Sequence, residues 1–168
     1  MAAAIDKSEQ MIRTGWGYDV HRFGGPGPIK LCGVEVASER GLLGTSDGDV
    51  ALHAVIDSIL GAAALGDIGE LFPSSDASWS GADSRGLLVA ARSILEEAGF
   101  RVHAVDVTII AESVRVAPHR DEMRSVLADA LGLALSAVSV KATSTDGMGS
   151  VGRGEGIASA AVASVVQE

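Results

Sequence analysis

The sequence predicts a single α+β domain of two layers, with helices packed on a sheet. Three segments carry apolar residues at helical spacing, and others are rich in valine, isoleucine and threonine, as strands are. Helices and strands intermix without strict alternation, which indicates the α+β class. The chain has 168 residues, of which 47% are hydrophobic and 21% charged, and this is enough for one domain with a sizeable core.

The first part of the domain is predicted to be extended. Residues 1–12 predict a short frayed tail, and the folded domain is expected over residues 13–168. Residues 15–20 are interpreted as a strand. A second strand is predicted over residues 29–36, where the apolar alternation shifts phase at Gly33, as a bulge would produce.

Two helices and a long loop are predicted in the middle of the chain. Residues 49–65 are apolar nearly all round, so this helix should be deeply buried. Residues 66–83 contain three glycines, a proline and several serines and aspartates, which predicts a long loop of the kind that carries function. Residues 84–98 have apolar positions at helical spacing and precede Gly99, which predicts a surface helix with one face on the core.

The last third of the chain contains both extended and helical patterns. Residues 100–111 are rich in valine, isoleucine and threonine and predict a strand. Pro118 is expected to open a helix that Gly132 ends. Residues 138–145 are again extended, and five glycines between positions 147 and 156 predict a flexible turn region.

Composition argues against several classes of partner and location. The net charge is −9, with 22 acidic against 13 basic residues, so a nucleic acid would be repelled over most of the surface. Cys32 is the only cysteine, which excludes an internal disulfide or a multi-cysteine metal cluster and favours a reducing, cytoplasmic location. The apolar runs are too short for a membrane span, and residues 1–10 lack the features of a secretion signal.

Asp19, His21 and His53 have the residue types and spacing of a metal site. If residues 15–20 form a strand, side chains two apart point to the same face, so Asp19 and His21 can hold one ion. With His53 there are three protein ligands, and a fourth position stays open, as in catalytic zinc sites. The alternative is a surface hydrogen bond between Asp19 and His21, with His53 as an ordinary core histidine.

Polar residues near this set could support it. Asp57, one turn after His53, is expected to hold the second ring nitrogen of that histidine with its carboxylate. Residues 45–49 precede a helix, and capping alone explains them. The functional interpretation is that free backbone N–H groups and Ser46 meet an anionic oxygen of a substrate.

Residues 143–146 offer three hydroxyls and one carboxylate in succession, enough to bind a diphosphate and a hard cation. The simpler interpretation is a polar strand end. Arg115 and Arg153 likewise either bind an anion or are ordinary charges, and Glu155 is the obvious partner of Arg153.

Four stretches of the chain together resemble the family of 2-C-methyl-D-erythritol 2,4-cyclodiphosphate synthases. The similarity covers about residues 13–168, and four long motifs in the right order are far more specific than any one of them. The stretches are residues 17–23 (GYDVHRF), 46–54 (SDGDVALHA), 65–73 (LGDIGELFP) and 152–156 (GRGEG).

The resemblance implies a mixed four-stranded sheet backed by helices, with residues 157–166 as one strand, and a homotrimer with active sites at its subunit interfaces. It implies a phosphorus-oxygen lyase of the non-mevalonate route to isoprenoids and terpenoids. The reaction converts 4-diphosphocytidyl-2-C-methyl-D-erythritol 2-phosphate to 2-C-methyl-D-erythritol 2,4-cyclodiphosphate and CMP, by attack of the 2-phosphate on the β-phosphate. The cofactors implied are zinc on Asp19, His21 and His53, and a second divalent cation, magnesium or manganese, on Asp146.

The resemblance also assigns roles to single residues. Thr45 and Ser144 are implied to act in catalysis by stabilising the transition state. Asp67 and Gly69 are implied to meet the ribose, and the loop at residues 72–76 to lie over the methylerythritol phosphate. The full set implied to contact substrate is Asp19, His21, Thr45, Ser46, Asp67, Gly69, Phe72, Asp76, Ala111, Arg115, Ala117, Thr143, Ser144, Asp146, Ser150 and Arg153.

Four positions depart from the family pattern. Thr45 stands in place of a histidine, so it can donate a hydrogen bond but cannot offer an imidazolium. Arg115 stands for a lysine and Asp146 for a glutamate, which keeps the charge but changes the geometry. Ser150 stands for an aromatic residue that often lines a cavity on the three-fold axis, where Arg153 is implied to point and where some members bind isoprenoid diphosphates.

Two other functions compete with the synthase. Thr45 supports a trimeric protein that binds a nucleotide or isoprenoid diphosphate without turning it over. The open metal position supports a zinc hydrolase that activates water and gives an acyclic product.

Overall fold

The computed structural model describes residues 11–79 and 81–168. The predicted tail, residues 1–12, lies almost wholly outside the described residues. None of the helices in these two ranges is long and apolar enough to cross a membrane, and the cytoplasmic location stays a prediction. The regular elements are β1 (Ile12–Pro26), β2 (Ile29–Leu31), β3 (Val34–Val36), β4 (Arg40–Leu42), α1 (Val50–Ala63), α2 (Ile68–Leu71), α3 (Ser84–Glu97), β5 (Phe100–Ile110), α4 (Arg120–Leu131), β6 (Val138–Thr143), α5 (Gly149–Gly152) and β7 (Gly156–Gln167).

The main sheet is mixed and is backed by helices. Its strand order is β4-β1-β7-β5-β6, with β5 and β6 parallel and the other neighbours antiparallel. The strands β1, β7, β5 and β6 form the mixed four-stranded sheet that the resemblance implied, and the three-residue β4 extends its edge. Helix α1 packs on β1 and β7, and α3 packs on α1 and β5. The α+β architecture is therefore confirmed.

The three long helices match their predictions, whereas two short helices were missed. Helices α1, α3 and α4 begin and end within two residues of their predicted limits. Helix α2 lies inside the predicted loop 66–83, and α5 lies inside the predicted glycine turn region. Each has four residues, which is too short to show an apolar period in the sequence.

Residues 29–36 form a hairpin instead of one bulged strand. Strands β2 and β3 pair antiparallel, and the two residues between them, Cys32 and Gly33, have φ angles of 51° and 76°. Two successive positive φ angles are typical of a two-residue hairpin turn, which reverses the chain. The predicted bulge at Gly33 was therefore wrong, because a turn and a bulge both shift the apolar alternation.

Two glycines in β1 allow α1 to lie directly on the sheet. A Cβ atom at Gly15 would lie 2.0 Å from the carbonyl oxygen of Ser58, and a Cβ atom at Gly17 would lie 2.0 Å from that of Ala54. Both contacts are with backbone, which cannot rotate away. This close approach places His53, the neighbour of Ala54, directly over β1.

Replacing Gly17 with alanine is expected to destabilise the fold by about 3 kcal/mol or more, because the added methyl group overlaps the backbone of α1. Urea unfolding measures the loss. Gly61→Ala is the matched control, since Gly61 lies in α1 with open space at its Cβ position, and alanine has the higher helix propensity. A Gly17→Ala protein as stable as the control would contradict the close approach.

The face of the sheet opposite α1 exposes large apolar side chains. Side chains alternate along β1, so Trp16 and Tyr18 point away from the helix that the neighbouring glycines contact. Trp16 is 65% exposed and Tyr18 45%, and their rings stack with centroids 5.9 Å apart. Val162, the partner of Trp16 on β7, is exposed as well. A contiguous apolar patch of this kind is typical of a surface that another protein covers.

Candidate metal centre and active-site cavity

The three predicted metal ligands meet at one end of the sheet. Oδ2 of Asp19 lies 2.9 Å from Nε2 of His21 and 3.0 Å from Nδ1 of His53. The two nitrogen atoms are 3.3 Å apart. Strand β1 carries Asp19 and His21 on one face, and α1 brings the buried His53 over them. The three residues thus form one cluster that could hold a metal ion.

The geometry of the cluster fits a tetrahedral divalent cation. An ion with tetrahedral bonds of about 2.0–2.1 Å holds neighbouring ligand atoms roughly 3.3 Å apart. The observed separations of 2.9, 3.0 and 3.3 Å are close to this value. Burial alone would raise the pKa of Asp19, but hydrogen bonds and charge from His21 and His53 hold that pKa well below its ordinary value. An ionised carboxylate and two imidazoles are a common donor set for zinc.

A cavity of about 450 Å³ opens over the cluster. Phe72 and Trp79 line it and pack edge to face, with ring centroids 5.1 Å apart. Arg22 also lines the cavity, and neither Arg22 nor Trp79 was predicted. The predicted site residues that line it are Asp19, His21, Thr45, Ser46, His53, Asp57, Gly69 and Phe72.

Two predicted substrate contacts near the cavity have other partners. Asp67 caps α2 by accepting a hydrogen bond of 2.9 Å from the backbone N–H of Glu70. Asp76 accepts one of 2.9 Å from the N–H of Ser78, and this bond holds the pKa of Asp76 below its ordinary value. Neither residue lines the cavity, so their contacts with substrate stay predictions.

The side chain of Asp49 caps the first turn of α1. Asp49 is buried, and burial raises the pKa of its carboxyl group. The carboxylate accepts four hydrogen bonds of 2.6–3.2 Å from backbone N–H groups, those of Cys32, Gly33, Ala51 and Leu52. The capping alternative therefore holds for the N–H groups of Ala51 and Leu52, which are not free to meet a substrate oxygen. That Ser46 meets an anionic oxygen of the substrate stays a prediction.

The second ring nitrogen of His53 has hydroxyl partners in place of the predicted carboxylate. Nε2 lies 2.9 Å from Oγ of Ser46 and 3.0 Å from Oγ of Ser84. Asp57 instead accepts a hydrogen bond of 2.8 Å from the N–H of Ile68, which ties α2 to α1. This corrects the role predicted for Asp57. Ser84 was missed because, in the sequence, a serine at the start of α3 is explained by the helix start alone.

A second group of predicted residues lies at the same end of the sheet but outside the cavity. The segments after β5 and β6 are adjacent, because these strands are parallel and the N–H of Ala111 donates to the carbonyl of Thr143 at 3.0 Å. Strand β6 is three positions from β1 in the sheet, roughly 14 Å away. The group consists of Ala111, Arg115, Ala117, Thr143, Ser144 and Asp146.

The side chains of this second group are largely exposed. Ser144 donates a hydrogen bond of 3.3 Å to Oδ1 of Asp146. Arg153, on the turn before β7, donates one of 2.7 Å to Glu155, which matches the simpler of its two interpretations. Ser150 is exposed and also lies outside the cavity.

Glu112 joins the two segments and was not predicted. Its Oε1 accepts from the backbone N–H and from the hydroxyl of Thr145, both at 2.7 Å, and from the N–H of Gly147 at 3.4 Å. No signal in the sequence marks Glu112, because Thr145 is 33 residues away along the chain. The contact holds the loop that carries Asp146.

Acid is expected to loosen this loop. The hydrogen bonds from Thr145 lower the pKa of Glu112 below its ordinary value, so the ionised form is favoured in the fold. The anchoring is therefore present at neutral pH and is lost as the pH falls through that lowered pKa. Hydrogen exchange of the Thr145 and Gly147 amides measures it. Glu112→Ala, which removes the acceptor, should show the loosened loop at neutral pH, and equal protection in both proteins would contradict the anchoring role.

Comparison with known proteins gives concordant matches. The profile of the YgbB family matches residues 12–166. A protein of Pasteurella multocida named 2-C-methyl-D-erythritol 2,4-cyclodiphosphate synthase is 55% identical over 157 residues, which are 94% of this chain and 99% of that protein. An Escherichia coli protein of the same name is 53% identical, over 93% of this chain and 98% of its own length.

Solved structures agree with these matches. The bifunctional IspDF of Campylobacter jejuni is 39% identical with a TM-score of 0.92, and the match covers 95% of this chain and 43% of that longer one. IspF of Plasmodium falciparum, in complex with CDP, is 29% identical with a TM-score of 0.81, over 94% of this chain and 97% of its own.

Fold and site together define an α+β domain in which three residues that could hold a metal ion lie beside a cavity. The chain belongs to the YgbB family. The family resemblance that its four sequence motifs indicated is confirmed.

Proposed function

We propose that this protein is a 2-C-methyl-D-erythritol 2,4-cyclodiphosphate synthase, a phosphorus-oxygen lyase that closes 4-diphosphocytidyl-2-C-methyl-D-erythritol 2-phosphate and releases CMP. The observation that carries the proposal is the convergence of Asp19, His21 and His53 beside one cavity. Relatives that bear the synthase name match nearly the whole chain, which supports the same activity here.

The residues of the cavity suit a substrate with several phosphate groups. The chain has a net charge of −9, so positive charge and hydrogen-bond donors have to be local. Thr45 and Ser46 offer hydroxyls at the cavity wall, and Arg22 is also among the residues that line it. Zinc held by the ligand cluster would polarise an oxygen of the β-phosphate.

Two tasks fall to the chain itself: it positions the reacting groups and it excludes water. Holding the 2-phosphate and the diphosphate in one cavity makes the attack effectively intramolecular. The aromatic pair Phe72 and Trp79 forms an apolar wall beside the cluster. Thr45, which stands in place of the usual histidine, can donate one hydrogen bond to a phosphate but brings no charge, so positive charge at this wall would have to come from the metal ion.

A second divalent cation, magnesium or manganese, is proposed on Asp146. The carboxylate is exposed, and the hydroxyl of Ser144 lies beside it at 3.3 Å. Hard oxygen ligands of this type suit either ion. Thr143 and Ser144 would then hold the phosphates, with Ser144 stabilising the transition state, while residues 111–117 meet the cytosine end.

Assembly as a homotrimer is proposed, with each active site shared between two subunits. Two observations support it. The exposed apolar face around Trp16, Tyr18 and Val162 needs a protein cover. The second group, with Ser144 and Asp146, lies outside the cavity of its own chain, as expected if a neighbouring subunit completes the site.

The test is release of CMP by the purified, zinc-loaded protein given the diphosphocytidyl substrate. The expected products are CMP and an organic product with the mass of the cyclic diphosphate. CDP binding without CMP release would refute the synthase, and an acyclic phosphate product would show hydrolysis instead. Protein treated with a chelator is the control and should be inactive until metal is restored.

A further inference from the structure

A chain of hydrogen bonds runs from Lys30 at the surface to the metal cluster. Nζ of Lys30 lies 3.1 Å from Oδ2 of Asp47. The hydroxyl of Ser84 donates to Oδ1 of the same carboxylate, and its oxygen lies 3.0 Å from Nε2 of His53. Ser84 is fully buried and the Asp47 side chain is 13% exposed, so water competes little for these bonds.

Asp47 sets the direction of the bonds in this chain. An ionised carboxylate only accepts hydrogen bonds, and a serine hydroxyl has one hydrogen to donate. Burial alone would raise the pKa of Asp47, but hydrogen bonds from Ser84 and Lys30 hold it below its ordinary value, so the carboxylate is ionised at neutral pH. Ser84 therefore gives its hydrogen to Asp47, and its oxygen can only accept, from Nε2–H of His53 at 3.0 Å or from the hydroxyl of Ser46 at 3.3 Å.

This direction favours one tautomer of His53, because Ser84 cannot donate to Nε2. A neutral imidazole with its hydrogen on Nε2 has a free lone pair on Nδ1. Nδ1 is the atom that lies 3.0 Å from Asp19 and 3.3 Å from His21 in the cluster. In metalloproteins, hydrogen bonds to the other ring nitrogen commonly orient a ligand histidine in this way.

Ser84 differs from the other groups around the cluster. Ser46 also lies within reach of Nε2 of His53, but it lines the cavity, whereas Ser84 does not. Nδ1 of His21 is buried without a hydrogen-bond partner among the described residues. Within the described part of the chain, only His53 of the two histidines therefore has a buried hydroxyl, that of Ser84, beside the ring nitrogen that faces away from the cluster. That hydroxyl donates its own hydrogen to Asp47.

We propose that Ser84 is a positioning residue which, together with Asp47, keeps the hydrogen of His53 on Nε2 and so presents Nδ1 to the metal. The proposal deepens the proposed function and rests on its metal centre, but its test needs no substrate. Ser84 acts through His53 and does not contact the cavity.

Ser84→Ala is expected to weaken zinc binding by about 10- to 100-fold. Competition with a chromogenic chelator measures the zinc affinity, and ¹⁵N NMR of the zinc-loaded protein follows the Nε2–H group of His53. In Ser84→Ala the hydrogen on Nε2 of His53 should exchange faster with water than in the wild type, because the remaining partner, Ser46, is open to the cavity. Ser58→Ala is the control: it removes an equally buried hydroxyl that donates to the carbonyl of Val55, and both readouts should stay unchanged.

If Ser84→Ala does not fold, Asp47→Asn tests the same positioning role. Asparagine has the same size but can donate, so the hydroxyl of Ser84 is no longer forced away from His53, and zinc affinity should again fall about 10-fold or more. Affinity within about twofold of wild type in the folded variants would overturn the proposal, as would weaker binding with an unchanged Nε2–H signal. Failure of the wild-type protein to release CMP would refute the synthase instead and leave these readouts valid.

Discussion

His53→Ala is expected to lose its metal and to lower kcat/KM by on the order of 10³ or more. Two ligands, Asp19 and His21, then remain of the cluster, and they cannot complete a tetrahedral site. The fold should survive, because alanine is the best helix former and position 53 lies inside α1. Metal content by mass spectrometry and CMP release measure the two losses.

His103→Ala is the matched control for this experiment. His103 is exposed, lies on β5 and does not line the cavity, so metal content and turnover should equal those of the wild type. Circular dichroism of both variants separates a lost site from a lost fold. Normal turnover by a folded His53→Ala protein would contradict the assignment of the metal centre.

Two inactive variants are expected to recover activity when their subunits are mixed. His53→Ala damages the cavity, whereas Asp146→Ala damages the second group, outside the cavity of its own chain. In the proposed trimer, each site takes its cavity from one subunit and residues 143–146 from the next. Random assembly from equal amounts then leaves both halves intact in about one site in four, so about a quarter of wild-type CMP release should return.

Subunits are mixed by unfolding and refolding the two variants together, and mass spectrometry of the intact assembly confirms that mixed trimers form. His53→Ala mixed with Asp19→Ala is the control, because both changes damage the cavity and no site regains an intact one. The mixture of His53→Ala and Asp19→Ala should stay as inactive as either variant alone. Mixed trimers of His53→Ala and Asp146→Ala without activity would contradict sites shared between subunits.

The sequence predicted the long elements of the fold well, and the short ones poorly. Residues 84–98 and 100–111 show clear helical and extended patterns, and α3 and β5 lie there. The strand β7, rich in alanine and valine, was recognised only through the family resemblance. The hairpin β2-β3 was misinterpreted because its turn depends on the φ angles of Cys32 and Gly33, which the alternation of apolar residues does not encode.

For the site, the sequence located the three candidate metal ligands but not the side chains that hydrogen-bond to them. Asp19 and His21 are two apart on one strand, so their common face follows from the strand period. The partners of His53 do not follow in this way: Asp57 is at helical spacing from it but binds the N–H of Ile68, and Ser84 reaches it from another helix. Spacing along a helix tells which residues are neighbours, whereas packing decides which atoms meet.

By itself, the sequence determined the class of fold, the family and the three residues of the candidate metal cluster, because these depend on local periodicity and on motifs of contiguous residues. Only the tertiary structure decided that Asp49 also binds the backbone of the β2-β3 turn, that Ser84 connects Asp47 to His53, and that residues 143–146 lie outside the cavity of their own chain. Each of these depends on contacts between elements far apart in the chain. The physical reason is that a hydrogen-bond direction or a shared site is set by the distance between atoms in the packed fold, and residue order alone does not specify that distance.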